Sequence, residues 1–317
     1  MQIKPLPRIG IVVAVTAICC QLLFTTMSRE LTQYTNHVTE RLTELLRNKT
    51  NHDLLFIGSS RTHTNIYPKV FDDSLGVNSY NAGIEGGNLL VFNMILDAYL
   101  RNHPPPKHLV LTLDLHSFSL KNKIFNYADY LPYLDNVVID STLSANGFNT
   151  SLQKIVPFVR LTDYDDFSKN IAWEHWQGKR HQQIPKADFQ YKGYLSNTEK
   201  YITAIKEPEL IYEMEIADSA IVYLNKIIQT CKRRNIGLIF TYAPEFRLGL
   251  QKQIKNAPKI LAVMENIARQ NQIPFFRDDR LAICDNPKLF ANNGHLNKQG
   301  AAIYSAILAQ QLKPLIQ

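Results

Sequence analysis

From Ile9 to Met27 the chain reads IGIVVAVTAICCQLLFTTM, nineteen residues without a charge. At about 1.5 Å per residue such a helix is roughly 28 Å long, close to the thickness of a bilayer core. Lys4 and Arg8 precede it, whereas Arg29 is offset by Glu30, so the charge bias favours an inside N-terminus and an outward-facing body. Thr25-Thr26-Met27-Ser28 is a poor small-x-small cleavage site, and Ile18 before Cys19 spoils a lipoprotein signal. Residues 1–28 therefore read as an uncleaved membrane anchor. Leu31, Tyr34, Val38, Leu42 and Leu45 then recur at three- and four-residue steps, which predicts an amphipathic helix over 29–48 in a juxtamembrane stretch of 29–50.

Beyond residue 50, short apolar runs alternate with helical periodicity. Asp53–Ile57, Asn78–Tyr80, Leu109–Asp114, Ile236–Tyr242 and Ile273–Phe276 read as strands; Asn88–Arg101, Met214–Arg234, Lys259–Gln270 and Gln299–Leu312 read as helices. Such alternation predicts an α/β domain over 51–317, a parallel sheet with helices on both faces. It breaks at about 120–212, where Tyr127, Tyr130, Tyr133, Phe158, Tyr164, Phe167, Trp173, Trp176, Phe189, Tyr191 and Tyr194 crowd together. This insertion reads as mainly helical, most of its aromatic rings forming a small core and Trp173, His175 and Trp176 facing a site, where rings could stack on a sugar.

The chain's 317 residues, 45% hydrophobic and 20% charged, suffice for a packed core, and its net charge of +7 is not gathered into a basic stripe. Nucleic acid is thereby disfavoured as a partner, while anionic surfaces such as lipid headgroups stay open. Cys19 and Cys20 fall in the anchor, leaving Cys231 and Cys284; one possible pair is no disulfide framework, and two thiols are the favoured reading over one bridge. The nine histidines include no HExxH or other tight ligand pair, so neither metal nor cofactor is expected.

In a parallel sheet, ligands gather beyond the carboxyl ends of the strands, and Gly58-Ser59-Ser60-Arg61 lies there after the first strand. Glycine permits a tight turn and a helix start aims N–H groups at developing negative charge; alternatively the two serines only cap that helix. Asn81-Ala82-Gly83-Ile84-Glu85-Gly86-Gly87-Asn88 follows the second strand, where a glycine amide can approach a ligand closely. His295 sits in Asn292-Asn293-Gly294-His295-Leu296-Asn297, before the last helix.

These blocks resemble those of the SGNH, or GDSL-like, hydrolases and acyltransferases. Phe56-Ile57-Gly58-Ser59-Ser60 is similar to the family's first block and implies Ser60 as nucleophile, with Ser59 in the usual aspartate position. Asn81 through Gly86 is similar to the second, implying the Gly86 amide as an oxyanion donor beside that of Ser60. The Asp-x-x-His block is matched at His295 but carries Asn292 in place of the acid. Gly-x-Asn-Asp is absent, since Leu113-Asp114-Leu115-His116-Ser117 stands after the third strand; His116 is the candidate replacement donor and Asp114 a candidate orienting group. The resemblance spans residues 53–312 apart from the insertion, and implies a three-layer, flavodoxin-like sheet. Gly-Ser-Ser-Arg, Tyr242-Ala243-Pro244 and His-Leu-Asn-x-x-Gly-Ala look most like the membrane-anchored branch similar to D-alanyl transfer and alginate acetyltransferase proteins.

The expected chemistry is acyl transfer, with His295 deprotonating Ser60, an acyl-serine intermediate, and release to water or a sugar hydroxyl. An envelope polysaccharide or acylated glycan, the lipid bilayer and a multipass membrane acyltransferase are the expected partners. Arg61, Asn88 and Tyr242 join Trp173 and Trp176 as candidate substrate contacts. Asn292 can accept the imidazole N–H but brings no charge, and Asp278, Asp279 and Asp285 are the candidate sources of a substitute carboxylate. The competing reading is a catalytically degenerate domain that binds glycan or acts as a scaffold in an envelope acyl-transfer system.

Overall fold

The computed structural model describes residues 5–33, 38–121, 123–179, 190–196, 200–203 and 211–316. The chain divides into two compact units, residues 45–125 with 184–317, and residues 1–44 with 126–183.

The first unit holds a five-stranded sheet built from β1 (Leu54–Gly58), β2 (Ser79–Gly83), β3 (His108–Thr112), β6 (Gly237–Tyr242) and β7 (Phe275–Arg277). All neighbours are parallel, in the order β2-β1-β3-β6-β7. Counting only these strands, that is 2-1-3-4-5, the flavodoxin-like order, which reverses between β1 and β3. Strand β1 is buried throughout, and its alternation sorts the faces. Leu54 and Phe56 join Val110, Ile239, Tyr304 and Leu308 in one core cluster beneath the helix Lys298–Ile316. On the other side α5 (Leu89–Asn102) packs against the helix Asp218–Arg234. The three-layer architecture follows from burying both faces of a parallel sheet.

Part of the aromatic stretch returns to this unit as the hairpin β4 (Gln190–Tyr191) and β5 (Tyr194–Leu195), whose Lys192 carbonyl accepts from the Asn81 amide. Lys192 and Gly193 both adopt positive φ, the two-residue turn that strand twist favours. Tyr194 is buried against Tyr67, so it belongs to the sheet unit rather than to a separate helical core. Cys231 and Cys284 are separate buried thiols.

The second unit contains α1 (Pro5–Gln33), a 3-10 turn Tyr127–Tyr133, α6 (Val137–Ala145), α7 (Thr150–Ile155), a 3-10 turn Pro157–Thr162 and α8 (Asp166–Trp176). One stretch of α1, Arg8–Leu31, is long and apolar enough to cross a membrane, with mean hydropathy 2.2. Of the helix expected over 29–48, α1 covers the residues to Gln33 and α2 covers Val38–Arg47, and Tyr34 lies outside the described residues. Within this unit Thr39 donates to the Leu31 carbonyl at 2.9 Å and Tyr133 donates to the Thr39 carbonyl, which ties the end of α1 to the insertion. Phe189 and the side chains of Phe167 and His175 lie outside the described residues.

Candidate active site

Three loops at the carboxyl edge of the sheet, together with the segment that carries His295, converge on one cavity of about 1050 Å³, and its lining comes entirely from the sheet-bearing unit. The first loop turns from β1 into the short helix α3 (Ser60–Asn65). Gly58 is needed for this turn: a Cβ there would lie 2.1 Å from Thr62 Oγ1 and 2.8 Å from the Thr112 carbonyl oxygen. The adjacent serines have separate tasks. Ser59 caps α3, accepting from the Arg61 amide at 3.2 Å and donating to Asp114 Oδ2. Ser60, the first residue of α3, places Oγ 2.8 Å from His295 Nε2, across 235 positions of sequence.

His295 begins β9 (His295–Leu296), which pairs with β8 (Phe290–Asn292). Asn292 Oδ1 accepts from His295 Nδ1 at 3.0 Å and also from the Gly294 and His295 amides, each at 3.0 Å. The two backbone donors fix which end of the side-chain amide faces the ring, because only its oxygen can accept. Nδ1 must then carry the imidazole proton, which leaves the Nε2 lone pair facing Ser60. The tautomer required of a general base is therefore set by a neutral residue. Burial holds the His295 pKa below its ordinary 6.5, and the nearby Arg61 cation lowers it further, against weaker opposition from Asp114 and Glu85.

The second loop carries Gly86, with φ +63°, packed so closely that a Cβ would sit 2.6 Å from the Phe125 ring. Only glycine fits both constraints. Gly86 borders the cavity with Ser60, whose amide is among the donors a helix start leaves unmet. Asn88 also borders it, but its side chain caps α5 at the Val91 amide (3.3 Å) and donates to the Lys123 carbonyl (3.1 Å).

Asp114 ends the third loop's approach, capping Leu115–Phe118 through the Ser117 amide at 2.9 Å while receiving the Ser59 hydroxyl. It thus positions the nucleophile turn. His116 lines the cavity and its Nε2 lies 3.3 Å from the Tyr212 hydroxyl.

Several expected contacts change character. Arg61 is only 2% exposed, and its guanidinium donates to the Ala243 carbonyl, pairs with Glu245 at 3.7 Å and lies 4.7 Å from the Tyr242 ring centre. Tyr242 is fully buried, with its hydroxyl donating to Glu245. Both support the loops from beneath; Arg61 also borders the cavity, whereas Tyr242 is not among its lining residues. Trp173 and Trp176 stack on each other on α8, in the other unit.

The substitute carboxylates are engaged elsewhere. Asp278 accepts from Thr241, Tyr304 and Gln311, Asp279 holds Arg277 and Gln251, and Asp285 holds Arg247. Asn292 is the residue at the ring.

Sequence reasoning missed much of the outer cavity, lined by Lys121, Phe125, Tyr201, Tyr212, Glu213 and Gln253. Lys121, Phe125, Tyr201 and Tyr212 lie within the 120–212 stretch and Glu213 and Gln253 after it, none of them in a motif. Only the clustering of tyrosines hinted at them.

No protein-family model matches the chain, and no curated protein matches it. Among solved structures it is similar to a GDSL-like lipase from Bacteroides thetaiotaomicron (15% identity, 90% of this chain and 99% of that one, TM-score 0.40). It is also similar to a provisionally assigned acylhydrolase from Bacteroides fragilis (14% identity, 89% and 97%, TM-score 0.42). A provisionally assigned platelet activating factor from Streptococcus pneumonia gives 15% identity, 95% and 99% coverage and a TM-score of 0.44. At these scores the architecture rests on the strand order itself, and the chemistry on the loops just described.

Proposed function

We propose that this chain is a membrane-anchored SGNH-type serine esterase or O-acyltransferase that acts on an acylated cell-envelope or extracellular polysaccharide. The observation that carries the reading is the 2.8 Å contact between Ser60 Oγ and His295 Nε2, with Nδ1 anchored on Asn292. His295 Nε2 takes the Ser60 proton as Oγ bonds to the ester or thioester carbon. The carbonyl electrons move onto oxygen, where the Ser60 and Gly86 amides, both bordering the cavity, serve as the donors. On collapse the leaving group departs with the proton held by His295. Water or a sugar hydroxyl, deprotonated by the same nitrogen, then releases the acyl group from Ser60.

The roomy cavity, with His116, Lys121, Tyr212, Glu213 and Gln253 among its lining residues, supports a glycan as acceptor, and the apolar stretch of α1 supports an outward-facing domain tethered to the membrane. A multipass membrane acyltransferase would be a natural donor-side partner. The neutral, exposed Asn292 favours one second reading, a degenerate domain that binds glycan without turnover.

Treatment of the purified full chain with a fluorophosphonate, followed by mass mapping, decides between them. Labelling at Ser60 that falls at least about 10³-fold in rate in His295→Ala is the expected result, given the size of general-base contributions. A folded chain that takes no label at Ser60 would establish the degenerate domain.

A further inference from the structure

The unit formed by α1 and the insertion leaves unusual side chains in solvent. Trp173 and Trp176, one helical turn apart on α8, are 50% and 57% exposed. On α7, Leu152 and Ile155 share the same three-residue spacing and are 44% and 80% exposed. Two exposed apolar pairs at helical spacing in one unit call for a partner.

The burial of α1 indicates which partner. From Ile9 to Val15 its apolar side chains stay exposed, whereas Ala17, Cys20, Phe24, Ser28 and Leu31 form a partly or fully buried stripe at three- and four-residue steps. That stripe packs against α8 and the turn Pro157–Thr162, with the Arg160 guanidinium 5.4 Å from the Phe24 ring centre. Spanning a hydrocarbon core of about 30 Å needs about twenty residues, so a helix entering at Arg8 leaves it near Ser28. The bare part from Arg8 to Ala17 covers only about 14 Å. One face of the outer half of the span is therefore covered by the insertion, while Ile18, Leu22 and Leu23 on its other face stay exposed.

We infer that the part of the insertion in this unit is seated in the outer leaflet against α1, with Trp173 and Trp176 as its lipid-facing anchors. The inference rests on reading α1 as a membrane span. Arg160 is equipped for such a location: its Nε donates to the Gln153 carbonyl at 2.9 Å and Nη1 to the Leu131 carbonyl at 3.0 Å, so its charge is held by backbone oxygens. Tryptophan, apolar in body with one N–H donor, is enriched where acyl chains meet headgroups. The pair would fix the height and tilt of this unit, a task that a single helix performs poorly.

Trp173 and Trp176 are the chain's two tryptophans, so emission excited at the red edge, where its fifteen tyrosines do not absorb, reports on this patch alone. The full chain, reconstituted into phosphatidylcholine–phosphatidylglycerol vesicles with or without brominated acyl chains, is floated on a density gradient and its emission recorded. The expected result is co-flotation, loss of most of the emission with brominated lipid and little loss with aqueous iodide. Trp173→Phe and Trp176→Phe show whether each ring contributes. Co-flotation with emission quenched by iodide and untouched by bromine would overturn the seating while leaving the anchor intact. Failure to float would overturn the anchor itself, and the inference with it.

Discussion

The serine side and the histidine side of the site are built from opposite materials. Beneath Ser60 lie buried, charged groups: Asp114 under the Ser59 hydroxyl, and Arg61 between Ala243, Tyr242 and Glu245. Behind His295 lies Asn292, neutral and exposed, with its oxygen shared by the ring and two backbone amides. These buried charges stiffen the nucleophile turn. The imidazole receives orientation but no counter-charge, and in a serine protease loss of that counter-charge at the aspartate lowers kcat by about 10⁴. A site of this kind depends on pre-set geometry and oxyanion donors more than on stabilising the imidazolium.

How much of this was legible depended on how local the cause is. Strand β1 was readable because a strand buried on both faces becomes a continuous apolar run, Leu54-Leu55-Phe56-Ile57. Ser60, Gly86 and His295 were readable because each follows a strand or precedes a helix beside glycine, where ligand loops form. Asn292 was visible three positions before His295. By contrast, Arg61 looks like a ligand contact in sequence, and only contacts with residues some 180 positions away turn it inward. The β4–β5 hairpin could have been read from Lys192-Gly193 between two tyrosines. The tryptophans could not be placed, since rings on a helix look alike whether they cover a core, a sugar or lipid.

The largest expected effect comes from unbalancing the serine side. Arg61→Met leaves Glu245 buried without its cation, and removing one partner of a buried pair costs about 3–5 kcal/mol. Burial already raises the Glu245 pKa, with Arg61 opposing it, so in the variant it rises further. A raised acid binds its proton more tightly when folded, so the variant's added instability grows as pH climbs above the ordinary glutamate value. Urea midpoints at pH 5 and pH 8 should separate more in Arg61→Met than in the wild type, and Glu245→Gln in the same chain should close the gap. Equal loss at both pH values would mean that Arg61 serves by packing alone.

A smaller effect is expected at Asp114. Asp114→Ala removes the acceptor of the buried Ser59 hydroxyl and the cap at Ser117, for a cost of about 1–3 kcal/mol. Thermal melting measures that cost. Labelling of Ser60 in the still-folded chain should also slow, because the turn carrying it loses its tether. A labelling rate unchanged despite the lowered Tm would confine Asp114 to stability.

The mildest change is expected on the histidine side, and its sign is opposite. Asn292→Asp supplies the missing charge without altering the acceptor geometry, but the position is exposed, where a charge pair contributes only about 0.2–1 kcal/mol. Ser60 labelling at neutral pH should rise by about two- to fivefold at most, far short of the 10⁴ associated with a buried aspartate. In the wild type, burial and Arg61 depress the His295 pKa below 6.5, so the ring remains a free base into mildly acidic solution and labelling falls only below that value. The new carboxylate favours the imidazolium and should move this fall to higher pH. A gain at neutral pH with a rightward profile would show that counter-charge had been the missing component; a rightward profile without gain would show that orientation by Asn292 already supplies what the base requires.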